Sequence, residues 1–175
     1  MAIRRCCLVL TIAIIFAMSI WPLGSVPEAT ADTLKFRFFN HITKTESFPV
    51  SDVEGHFIIP NIREGAIILE NGELGWVKGI LIFDSIKGAG TVDMYSTWTL
   101  QDGSIIARSK GTVEATPQGL PSTAKFSGDV IHGTGRFQGI KGTVAISVKL
   151  LPPEKGDLGP KSFGEVTLVY TLPSK

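Results

Sequence analysis

The sequence predicts a single all-β domain, a barrel or sandwich, behind an export leader. Three observations carry that reading. Apolar and polar residues alternate with period two in segment after segment. Turn-forming clusters recur at intervals of roughly 8–15 residues, the spacing of a sandwich or barrel. No segment has the 3.6-residue apolar recurrence of an amphipathic helix. The 19 glycines and 10 prolines fit a chain of many turns.

The leader comes first. Arg4 and Arg5 precede an almost unbroken apolar run from Cys6 to Ile20, and Ala29-Thr30-Ala31 closes the segment. Charged, apolar and small-x-small regions in that order mark a cleavable signal peptide over residues 1–31, leaving a single domain at 32–175. The competing reading is an uncleaved anchor. The run of about 15 apolar residues falls short of the roughly 20 that span a bilayer. The paired arginines alone do not specify twin-arginine export. Cleavage after Ala31 predicts a periplasmic or secreted protein.

The strands follow in order. Leu34, Phe36 and Phe38 alternate with Lys35 and Arg37. Gly55 to Ile59 and Ala66 to Leu69 read as two strands with a break at Pro60-Asn61. Trp76 to Phe83 is rich in Ile and Val and ends at Asp84-Ser85 and Lys87-Gly88. Thr91 to Leu100 presents Val92, Met94, Ser96, Trp98 and Leu100 on one face, and Thr91, Asp93, Tyr95, Thr97 and Thr99 on the other. Asp102-Gly103 is a hairpin turn, and Ile105 to Ala115 returns from it. Lys125 to Ile131, Thr143 to Leu151 and Glu165 to Leu172 complete about eight or nine strands.

Composition excludes several classes. Hydrophobic residues make up 43% and charged ones 19%, the opposite of a disordered chain. Without the leader the chain holds 15 basic and 15 acidic residues. That balance lacks the basic excess of a nucleic-acid partner. Both cysteines, Cys6 and Cys7, leave with the leader, so the mature domain has no disulfide or thiolate ligand. His41, His56 and His132 are dispersed without ligand spacing, so no metal and no cofactor is implied.

Residues Gly133 to Gly142 hold four glycines. A phosphate cradle needs a helix after it, whereas Thr143 to Val148 is a β-branched strand. The segment therefore reads as a sharp connection or bulge with Phe137 packed beneath it. The run from Ile131 to Gly142 resembles the Gly-Gly-x-Gly-x-Phe-x-x-x-x-Gly element of the allene oxide cyclase and dirigent superfamily, with His132 at the first glycine. Leu34 to Asn40 resembles the first strand of dirigent proteins, and Tyr95 to Arg108 follows the same order of elements. The resemblance implies an eight-stranded antiparallel β-barrel with an apolar cavity, and a homo-oligomer, since plant relatives are often trimeric. Family chemistry carries over incompletely. Asn40 falls at the cyclase Asn, but Phe38 stands at the Glu, and Gly79 to Ile82 holds no Cys. Asn40 also stands where dirigent-type members place an Asp.

Candidate site residues follow. Asn40 could hydrogen-bond a ligand and His41 could shuttle a proton, or the two could simply end the strand in solvent. Glu54 and His56, two apart, would share a face, as an acid–base pair if inward and as a solvated pair if outward. Asp93 and Tyr95 share a face with Arg108 across the hairpin. Inward they would suggest function, and outward they form a surface ladder pair. Trp76 and Trp98 read as core or cavity lining. The ligand-binding set is therefore Asn40, Trp76, Trp98, Tyr95 and Arg108, with His41, His56 and Asp93 as weak catalytic candidates. Three function classes remain: a module binding a small apolar ligand, a cofactor-independent isomerase or cyclase, and a structural barrel filled by its side chains. An inward polar group in an apolar cavity separates the first two.

Overall fold

Alternation of inward and outward side chains recurs in strand after strand between Asp32 and Thr171. The computed structural model describes residues 31–117 and 121–173. Residues 1–30, nearly all of the expected leader, lie outside them. The strands are β1 (Asp32–Thr45), β2 (Phe48–Pro49), β3 (His56–Leu69), β4 (Leu74–Ile86), β5 (Ala89–Leu100), β6 (Gly103–Ala115), β7 (Pro121–Gly133), β8 (Lys141–Leu151) and β9 (Lys161–Thr171). Successive strands from β3 to β9 pair antiparallel, and β1 pairs with both β9 and β3. The sheet thereby closes into an eight-stranded antiparallel barrel, with β2 as a two-residue addition to β3. Closure removes the free edges that an open sheet would present.

Register fixes which residues meet inside. Phe36 and Phe38 of β1 lie opposite Val166 and Gly164 of β9, and opposite Leu69 and Ile67 of β3. Trp98 of β5 pairs with Val77 of β4 and meets the Phe36 ring edge-on, with centroids 5.4 Å apart at 69°. Ile67, Ile105, Val166 and Leu168 are fully buried beside them. Burial of such a side chain is worth about 1.5–3 kcal/mol, so this layer contributes several kcal/mol to stability.

Three sequence expectations need correction. Pro60-Asn61 does not break the chain, because β3 runs through it from His56 to Leu69. Pro60 sits between the last β1 pair, Thr45 with Asn61, and the first β2 pair, Phe48 with Ile58. The missing N–H of proline is tolerated at such an interruption of the ladder. Likewise Asp84-Ser85 does not end β4, which continues to Ile86 before the Lys87-Gly88 turn. The β5–β6 turn falls at Gln101-Asp102, one residue before the expected Asp102-Gly103, and Gly103 opens β6 opposite Leu100.

The glycine-rich connection closes one end. A single 3-10 turn, Gly135–Phe137, buries Phe137. Gly135 has φ 58°, and a Cβ there would lie 1.9 Å from the Asp102 carbonyl oxygen, so only glycine fits. Arg136 covers the Phe137 ring at 4.9 Å and donates from Nη2 to both Glu73 carboxylate oxygens, at 2.9 and 2.7 Å. The element is a stopper.

Candidate functional site

The end of the barrel away from this stopper is hollow. A cavity of about 210 Å³ occupies it. Phe38, Val77, Leu81, Phe83, Met94 and Trp98 give it apolar walls. Below them the interior is solid, packed with Phe36, Ile67, Leu69, Leu100, Ile105, Phe137, Ile140 and Leu168. The barrel is therefore not simply filled by its side chains. Leu158, Gly159 and Pro160, from the loop between β8 and β9, line the rim, and Leu158 is 55% exposed there. Asp157 and Lys161 pin that loop. Asp157 accepts from the Glu154 backbone N–H at 2.7 Å, which holds its carboxyl below the usual range. Lys161 spans Glu154 at 3.0 Å and Asp157 at 3.3 Å, and is raised chiefly by the Glu154 carboxylate.

Polar groups gather near this rim, on β1, β3 and β9. Asn40, Asn61 and Ser162 are buried, and all three line the cavity together with Arg63. Strand parity puts them there. On β1, Phe36, Phe38 and Asn40 share the inward face. On β3, Asn61 and Arg63 continue the inward face of Ile67 and Leu69. A register shift between Ile42 and Lys44 changes the phase of β1, so Thr45 also turns into the cavity. Gly79 pairs with Arg63 across the β3–β4 ladder and adds no side chain there.

Among the described residues, Arg63 is the charged group in this lining. Its Nη1 donates to the Pro160 carbonyl at 3.1 Å, to Ser162 Oγ at 2.5 Å and to Asn40 Oδ1 at 3.5 Å. All three acceptors are neutral. Burial pushes the guanidinium down to about 10, with no carboxylate beside it to hold it up. Asn61 donates from Nδ2 to the Ile59 carbonyl at 3.4 Å, while its buried Oδ1 has no partner.

The sequence-derived candidates divide between inside and outside. Asn40 and Trp98 line the cavity. Trp76 does not, being 69% exposed on the outer face. Both faces of β4 carry bulky apolar residues, so its pattern alone could not set its parity; pairing with β5 does, placing Val77 against Trp98. Tyr95 and Arg108 are also outside. Tyr95 and Trp98 differ by an odd number of positions, so one strand cannot present both inward. Arg108 bonds Asp93 from Nε at 3.2 Å and from Nη2 at 2.8 Å, and lies 5.4 Å over the Tyr95 ring. That surface pair holds the Asp93 carboxyl below its usual value.

His41 and His132 are exposed. Glu54 lies in the loop before β3, near Lys87 at 3.9 Å, and does not share a strand face with His56. His56 instead bonds Asp52 from one ring nitrogen at 2.6 Å and Asp84 from the other at 2.8 Å, which raises its imidazole, Asp52 contributing most. Among the described residues, no group of three or more His, Cys, Asp or Glu is arranged to hold a metal ion. Asn61, Arg63 and Ser162 did not figure among the sequence candidates. The available signal was parity, since Asn61 and Arg63 are even steps from Ile67 on one strand.

This architecture defines a class of fold: the closed, eight-stranded antiparallel barrel. Two solved pterocarpan synthase dirigent proteins share it. One superposes at TM-score 0.52 with 12% identity, covering 84% of this chain and 99% of its own. The other gives TM-score 0.52 with 15% identity, covering 89% and 96%. At such identities the likeness is one of fold. By sequence, no family model matches the chain, and no curated protein does.

Proposed function

We propose that this protein holds a small, largely apolar molecule in the hollow half of its barrel, entering at the rim that carries Asn40. The observation supporting this is the division of the interior into a solid end and a hollow apolar end with a few polar groups near its mouth. Pockets of that make-up hold ligands by burying apolar surface and orient them through the polar groups. Native mass spectrometry after soaking with fatty acids and terpenoids tests it. A one-to-one adduct accompanied by a higher Tm is expected; no adduct and an unchanged Tm with both classes would refute it.

Isomerase or cyclase action is the second reading, favoured by the polar groups inside the cavity. Its weakness is chemical. Among the described residues the lining contains no Asp, Glu or His, and Arg63 stays protonated at neutral pH. Catalysis there would rest on shape and on charge stabilisation alone. Purified protein should turn over a fatty-acid allene oxide no faster than background. On the pattern of residues 1–31 we place the protein outside the cytoplasm, and an intact mass beginning at Asp32 is the expected mark of that export.

A further inference from the structure

We propose that the ligand is an amphiphilic acid, its apolar body in the hollow and its carboxylate on the guanidinium of Arg63. This deepens the reading above and rests on it. Arg63 is a cation drawn into the cavity wall with only neutral acceptors: a backbone carbonyl, a hydroxyl and an amide oxygen. A desolvated ion without a counter-ion costs folding free energy, and an apolar side chain would line the wall without that cost. The charge is therefore a feature that ligand binding explains and packing does not.

Geometry specifies the partner further. The three bonds all leave from Nη1, and they fix the plane of the guanidinium. Nε and Nη2 make no bond to any described residue, and together they form the edge that grips a carboxylate with two parallel hydrogen bonds. The glycine at position 79, directly across the ladder, puts no side chain opposite Arg63. A second polar group with unmet capacity lies beside it on the strand. Asn61, two residues earlier on the same face of β3, keeps a buried Oδ1 without a donor. Two neighbouring polar groups with unmet capacity thus lie on the polar side of the rim. A plain hydrocarbon would leave the cation without a counter-ion, whereas a carboxylate supplies one; the Asn61 oxygen, an acceptor, is left for a donor elsewhere on the ligand.

The test compares decanoate with 1-decanol by calorimetry near neutral pH, on the wild-type protein and on Arg63→Met and Arg63→Lys. Wild type should prefer the acid by about tenfold or more, the scale of a charge-assisted bidentate contact. Arg63→Met should lose that preference while still binding the alcohol, with circular dichroism confirming the barrel. Arg63→Lys keeps the charge without the fork, and should retain only part of the preference. Should Arg63→Met fail to fold, the Lys variant carries the comparison. Equal affinity for acid and alcohol in wild type, or an acid preference undiminished in both variants, overturns the acid-head proposal and leaves apolar binding standing. Binding of neither probe by wild type overturns both.

Discussion

At the scale of single residues, burial and charge act in separate places. Asn40 accepts from Arg63 at 3.5 Å, the longest of the three bonds, and helps orient the guanidinium. Asn40→Ala should weaken acid binding by about fivefold, roughly 1 kcal/mol, and leave the alcohol nearly unaffected. Calorimetry on both probes distinguishes this from a general loss of packing. His56 supplies a pH dependence of another kind. Its carboxylate partners raise its folded value above the unfolded 6.5. The stabilisation is therefore fully present below pH 6.5 and fades as pH climbs through the raised folded value. Urea midpoints at about pH 5.5 and about pH 8 should fall for wild type more than for His56→Gln.

At the scale of elements, the glycine connection and β3 teach opposite lessons. The stopper was legible because its residues are constrained locally: positive φ at Gly135 and an aromatic beneath it. Gly135→Ala should cost more than about 1 kcal/mol in urea unfolding, since an added Cβ meets backbone that cannot yield. Strand β3 was misread because proline is a local breaker signal, while the strand persists through long-range pairing to β1 and β4. Asn61 and Arg63 fall inside the segment read as a gap, so the sequence assigned them no face. The most informative charge in the cavity was hidden by a rule about backbone. Asn40 and Trp98 could be found because they sit on strands whose alternation is clean.

At the scale of the whole molecule, closure of the sheet decides what each tryptophan reports. Alternation alone predicted strands, but both faces of β4 are apolar, and only the assembled barrel turns Trp76 outward. Trp98→Ala should destabilise the fold by about 3–5 kcal/mol, as a fully buried aromatic, and Trp76→Ala far less. In Trp76→Phe of the chain beginning at Asp32, which also lacks Trp21, the emission of Trp98 should shift on ligand binding, making fluorescence titration a direct readout of the cavity. The solid end has a further consequence for an occupant with a tail and a head. A tube blocked at one end admits such a molecule in one direction only, tail first, and gauges its length against a fixed floor. Along a homologous series of acids, each added methylene should tighten binding by about 0.8 kcal/mol while space remains beneath the head. Once the tail touches bottom, every further carbon lifts the head past Arg63. The series should then break sharply, and the break marks the depth of the well.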